Sequence, residues 1–127
     1  MKKYLLLLIV SIGVILIFRT AQGSTKPAFF EIIREMGYDD VSETPYEVAE
    51  IEIPKDFSKV WENYNELLKE NGYDLTPYKG EKCKRYTYLI PSQNARANIL
   101  VTNGKIIGGD VSSITLDGIM VPIKKNN

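Results

Sequence analysis

Histidine is absent from the chain. That absence excludes the usual serine and cysteine triads, in which an imidazole activates the nucleophile, and the common His-rich zinc sites. Cysteine occurs once, at Cys83. An internal disulfide is therefore excluded, as is lipid attachment through an N-terminal cysteine, and stability has to come from an apolar core. Cys83 lies in a strand-like run and reads as a small buried hydrophobe rather than a redox centre. Positive charge is missing from Gly37 to Pro54, a stretch that holds Asp39, Asp40, Glu43, Glu47, Glu50 and Glu52.

The zero net charge of the 127 residues hides an asymmetry. Lys2, Lys3 and Arg19 all belong to an N-terminal segment without acidic residues, so residues 24–127 carry 13 basic and 16 acidic side chains, a net of −3. A mildly acidic domain gains nothing from counterion release, which disfavours nucleic acid as a partner. The segment itself has the form of an export signal, with two lysines followed by an uncharged apolar run of 15 residues from Tyr4 to Phe18. As a helix that run reaches roughly 22 Å, short of a hydrocarbon core about 30 Å thick. Ala21 and Gly23 have the spacing of a signal cleavage site, which would make Ser24 the mature N-terminus. A retained anchor, accommodated by local bilayer thinning, is the other reading. Both place residues 24–127 outside the cytoplasm, secreted or anchored to the cell membrane, as one extracytoplasmic domain.

Within that domain, Ser24 or Thr25 can cap and Pro27 can open a helix carrying Phe29, Ile32, Ile33 and Met36, with Gly37 ending it. A half-exposed strand is predicted from about Tyr46 to Ile53, where Ile51 and Ile53 alternate with glutamates. Phe57, Val60, Trp61, Tyr64, Leu67 and Leu68 fall at helical spacing and predict a second helix, opened by Pro54 or Asp56 and closed by Gly72. Glu62, Glu66 and Glu70 line a different side of it and read as a solvated face.

Strand character returns at Lys82 to Ile90, Ala97 to Thr102 and Lys105 to Ser113. Asn103-Gly104 joins the last two, and both positions of a type I′ turn need positive φ. An uninterrupted register from that turn places Ile99 opposite Gly108 and Asn98 opposite Gly109. It puts Asp110 on the face of Ala97, Ile99 and Val101. Gly108-Gly109 lacks the strand-to-helix setting of a phosphate loop and suggests a bulge or a close backbone approach. Leu116 to Ile119 reads as a turn into a short edge segment. The order of elements predicts an α+β fold with two helices packed on one side of an antiparallel sheet of about four strands, preceded by the N-terminal apolar helix.

Chemistry-bearing residues are few. Asp110 and Asp117 can converge at one end of the hairpin, and two carboxylates at the right separation perform acid/base work or bind Ca²⁺. The plainer reading has Asp110 accepting backbone or tyrosine hydrogen bonds and Asp117 initiating a turn. Lys79, Lys82, Lys84 and Arg85, interleaved with Tyr78, Tyr86 and Tyr88, make a cluster suited to an anionic polymer or lipid headgroups. Alternatively, its lysines pair across strands with Glu50 and Glu52. No motif calls for a cofactor or a metal.

The strings IPKDFSKVWENYNELLKENGYDL, GYDLTPYKGEKCKRYTY and ANILVTNGKIIGGDVSSITLDGIM together resemble an uncharacterised bacterial family, the domains of unknown function numbered 4830. The resemblance runs from about Phe29 to Met120, and its most specific parts are YKG…KRYTY and NGKIIGGD…LDG. It implies a secreted or membrane-anchored domain and carries no activity or functional residue with it. Cys83 stands where that pattern has an aliphatic residue. The reading that follows is an extracytoplasmic, non-enzymatic binding module for an envelope protein or cell-wall component, with Arg85, Tyr86, Tyr88, Asp110 and Asp117 as candidate binding residues. If uncleaved, its N-terminal segment would contact the membrane. The alternative is a histidine-free hydrolase or metal-dependent enzyme using Asp110 and Asp117.

Overall fold

The computed structural model describes residues 29–115 and 118–125. The apolar leader, the caps at Ser24 and Thr25, Pro27, the cleavage site and Asp117 lie outside them. The described chain runs α1 (Phe30–Glu35), β1 (Glu47–Glu52), α2 (Lys59–Lys69), β2 (Lys82–Ile90), β3 (Ala95–Thr102), β4 (Lys105–Ser113) and β5 (Met120–Pro122). The strands form one antiparallel sheet in the order β1-β2-β3-β4-β5. The fold is α+β as expected, but the strand count is five rather than four. The short edge segment after the Leu116–Ile119 stretch pairs Val121 with Val111 and so completes the sheet.

The second helix starts later than expected. Ser58 is extended, at φ −69° and ψ 171°, and its Oγ accepts the Trp61 N–H at 3.4 Å. A hydroxyl that satisfies a free N–H of the first turn makes a better start signal than Pro54 or Asp56. Leu68 is fully buried, while Trp61, Tyr64 and Leu67 are half-buried. Val60 departs from the predicted apolar face, being 76% exposed. Glu62, Glu66 and Glu70 are exposed, as read, and Glu66 meets Lys69 at 3.2 Å.

The β3–β4 turn has the predicted geometry, with φ +51° at Asn103 and +74° at Gly104. Val101 faces Ile106 as expected, but Leu100 then faces Gly108, and Ile107 has no opposing residue. This one-residue bulge corrects the register beyond it. Ile99 opposes Gly109 and Asn98 opposes Asp110. Because strand side chains alternate between faces, the slip moves Asp110 off the face of Ile99 and onto that of Asn98 and Leu100.

The two helices lie against opposite faces of the sheet, not on one. Phe29, at the start of α1, packs edge-on against Tyr86 with ring centroids 5.0 Å apart. Tyr64 of α2 reaches Asp110, on the face that also carries Arg85, Asn98 and Leu100. Tyr86 and Arg85 are neighbours on β2 and point to opposite sides. The reason lies in the strands: Tyr88, Ile90, Ala97, Ile99 and Val111 need cover on the α1 face, and Cys83 and Leu100 on the α2 face.

On the α2 face a side-chain Cβ at Gly108 would stand 2.7 Å from Leu68 Cδ1. Glycine there lets the helix come down onto β4.

Candidate site on the helix-covered face of the sheet

Asp110 is 3% exposed, and a buried carboxylate must collect donors. The bulge turns it toward α2, where Tyr64 Oη donates to Oδ1 at 2.7 Å. Ser112, two residues along the same strand and therefore on the same face, donates its hydroxyl to Oδ2. Asn98, directly opposite on β3, gives Oδ2 a longer contact from Nδ2 at 3.4 Å. With its amide nitrogen turned to the carboxylate, Asn98 presents Oδ1 the other way and accepts the Thr87 hydroxyl at 2.8 Å. Thr87, Asn98 and Asp110 thus form a polar row across three strands, with Tyr64 closing it from above.

Burial, and after it the neighbouring Asp110 charge, hold the Tyr64 hydroxyl well above the ordinary phenol value. Tyr64 therefore stays protonated and remains a donor. The arrangement is an anchored acceptor rather than a poised base.

Beside this row sits Arg85. Its Nη2 donates to Glu47 Oε1 on the neighbouring strand at 2.8 Å. Its Nε is buried without an acceptor, the one such side-chain atom among the described residues. An unsatisfied buried donor costs about 1–3 kcal/mol. The Arg96 side chain is exposed and forms no hydrogen bond or ion pair among the described residues.

Two depressions meet at Arg85 and Asn98. The first, about 370 Å³, has Trp61, Leu100 and Ile51 as its apolar wall and Arg85, Asn98 and Asp110 as its polar one. The second, about 200 Å³, is bounded by Tyr46, Glu47, Thr87 and Arg96 together with the shared Arg85 and Asn98. Two larger hollows, about 540 and 410 Å³, lie elsewhere. Both border Phe29, and neither touches the polar row.

Of the candidate residues read from sequence, the structure brings Arg85 and Asp110 together on the wall of one cleft. Tyr86 and Tyr88 are on the other face. Tyr88 is 1% exposed, and burial, with Tyr86 beside it, pushes its hydroxyl up to about 12. The basic cluster is partly spent internally, since Lys82 meets Glu50 at 3.7 Å and Arg85 meets Glu47. Cys83 is buried, which raises its thiol pKa, an effect Arg85 offsets in part. Among the described residues no three Cys, Asp or Glu side chains gather as a metal site needs.

Tyr64, Asn98, Thr87 and Arg96 were not singled out as site residues by the sequence reading. One signal was available: Asn98 interrupts the apolar run ANILV in a central strand, where a polar side chain requires a partner. Counting a one-residue bulge just before Gly108-Gly109 into the register would have named that partner as Asp110.

The family model for domain of unknown function DUF4830 matches residues 33–111. That span is more than half of the chain, and the chain belongs to this family. The comparisons with curated proteins and with solved structures gave no match.

Proposed function

We propose that this member of the DUF4830 family is an exported, non-enzymatic binding module whose ligand site is the cleft between Trp61 and the Arg85–Arg96 pair. The observation that carries the reading is how donors and acceptors are distributed. Both oxygens of the buried carboxylate are taken by Tyr64, Ser112 and Asn98, whereas two guanidiniums on the same face have one protein acceptor between them, Glu47. A general base needs a carboxylate turned to substrate, and three of the acceptor sites of Asp110 are already used by the fold. Unspent guanidinium donors beside an apolar wall are what recognition of a ligand uses. The hydrolase reading also needs Asp117, which lies outside the described residues, and the hydrogen bonds on Asp110 favour a structural role for that carboxylate.

The leader pattern, Lys2-Lys3 followed by the apolar run to Phe18, supports delivery of residues 24–127 to the outer side of a membrane, with the segment either cleaved after Gly23 or kept as an anchor. The partner is accordingly an envelope protein or a cell-wall component, and the net charge of −3 over residues 24–127 argues against nucleic acid. The test is binding of the full-length protein, in detergent where it is retained in membranes, to fractionated envelope material. Saturable binding that falls when Arg85 and Arg96 are both replaced by alanine supports the reading. Absence of saturable binding to every fraction sinks it.

A further inference from the structure

The chemistry of the cleft narrows what it accepts, and we infer that its ligand is a small amphiphile with an oxyanion head and an apolar body. This rests on the domain being a binding module. The head belongs in the smaller depression, which Arg85 and Arg96 both border from opposite sides of the Thr87–Asn98 pair and which shares Arg85 and Asn98 with the larger one. A guanidinium is a planar fork that matches carboxylate and phosphate oxygens in pairs. Glu47 uses one donor of this pair, at Arg85 Nη2, and the remaining guanidinium donors of both residues have no protein acceptor. The Thr87 hydroxyl is already committed to Asn98, which leaves the arginines as the anion-reading groups.

The body belongs in the larger depression. Its wall is Trp61, Leu100 and Ile51, and its volume of about 370 Å³ suits a single ring or a short alkyl chain rather than a polymer. Trp61 is held edge-on to Tyr64, with ring centroids 6.1 Å apart, and stacked with Phe57 at the same separation, so the indole is a fixed platform. Two acidic groups set the sign of the selectivity from the opposite side. Asp110, on the cleft wall, keeps its charge under three neutral donors, and Glu47 stays on the Arg85 guanidinium, so both carboxylates oppose an incoming anion that the arginines must hold. A cationic head at the arginines would meet two guanidiniums, with the Glu47 carboxylate already engaged by one of them and Asp110 already holding three donors.

Trp61 is the only tryptophan, so its emission reports this cleft alone. The probes are 4-phenylbutyrate, 4-phenylbutyl phosphate, the neutral 4-phenylbutyramide and the cationic 4-phenylbutylamine, titrated into the full chain. The expected result is a saturable Trp61 shift with at least one of the two anions, at least about tenfold tighter than with the amide, and none with the amine. Which anion binds tighter assigns the head as carboxylate or phosphate. Arg85→Met and Arg96→Met should each weaken the anion about tenfold while leaving the amide unchanged. Glu47→Gln, a change at a half-exposed side chain, should tighten the anion roughly threefold by removing its competitor.

Equal affinity for acid and amide overturns the inference, as does preference for the amine. So does the absence of a saturable shift up to about 20 mM, well beyond the roughly millimolar affinity of a fragment this size. The acid-against-amide comparison needs no variant, so a misfolded arginine mutant does not blunt the test. Saturable, arginine-dependent binding to envelope material together with indifference to the anionic probes sinks the ligand class and leaves the binding-module reading standing. Failure of the envelope binding itself removes both.

Discussion

Replacing Tyr64 by phenylalanine removes one oxygen and tests the polar row directly. The ring and its contacts with Trp61 remain, so packing changes little, but Asp110 Oδ1 loses its 2.7 Å donor. Hydrogen bonds to a charged group contribute about 1.5–3 kcal/mol, and Asp110 keeps Ser112 and Asn98 on Oδ2, so the loss at neutral pH should fall in that range. The pH dependence supplies the discriminating sign. A hydroxyl whose folded pKa is raised contributes stability that is fully present below the unfolded value of about 10 and is lost as pH rises through the folded value. Tyr64 and Tyr88 are both raised, Tyr88 to about 12. Above pH 10 each should remove about 1.4 kcal/mol of stability per pH unit until it ionises in the folded protein. Urea unfolding at a series of pH values from 7 to about 11.5 should therefore show wild type losing stability about twice as steeply as Tyr64→Phe from these two groups, so that the variants converge on the alkaline side. Phenolate absorbance should show Tyr64 and Tyr88 silent in the folded protein near pH 11 and ionised on unfolding. A Tyr64→Phe protein within about 0.5 kcal/mol of wild type at neutral pH, with an unchanged alkaline slope, would refute the buried-acceptor account.

Gly108→Ala should destabilise by about 1–3 kcal/mol through its clash with Leu68, and the Leu68→Val change should recover part of that in a double-mutant cycle; strict additivity would show that helix and strand do not meet there. Asn65→Ala should cost about 1–3 kcal/mol in urea unfolding, because it strips the buried Leu75 N–H of the Oδ1 acceptor that holds it at 2.7 Å. Asn65 and Thr76 also hold the Asp74 carboxyl down at about 2, so its contribution is present above the unfolded value and is lost as pH falls through about 2. Asp74→Asn should accordingly flatten the acid limb of the stability profile between about pH 4 and 2, measured by the same unfolding. Cys83 should react with a thiol reagent at the rate of global unfolding, since the thiol is buried with a raised pKa; prompt stoichiometric labelling of the folded protein would contradict its placement.

Much of the fold was legible because local chemistry agrees with it. The ends of β2 and β4 match the predicted runs, and Asn103-Gly104 adopts the positive φ values its composition demands. What was not legible depended on contacts between elements. The start of α2 was hidden because Pro54, Asp56 and Ser58 all resemble start signals, and only the Trp61 N–H selects among them. The placement of the helices was hidden because both faces of the central strands carry apolar side chains, so periodicity assigns no preferred side.

The candidate site turned on a single residue of that kind. An unbroken hairpin register sets Asp110 among Ala97, Ile99 and Val101, where a carboxylate has no business in an apolar layer and would read as a functional anomaly. The bulge at Ile107 moves it one position, opposite Asn98 and under Tyr64, and the anomaly becomes a satisfied acceptor. The same slip changes what is unusual about the domain. Once Asp110 is accounted for, the unexplained polar group is Arg85, whose place beside Asn98 and whose orphaned Nε appear only when the strands are aligned correctly. Burying a guanidinium nitrogen without an acceptor is a cost the fold does not require, since an aliphatic side chain at position 85 would cover Leu100 as well. A cost of that kind persists where the group has work outside the core, and that is the physical reason to place the function of this face at its arginines and not at its carboxylate.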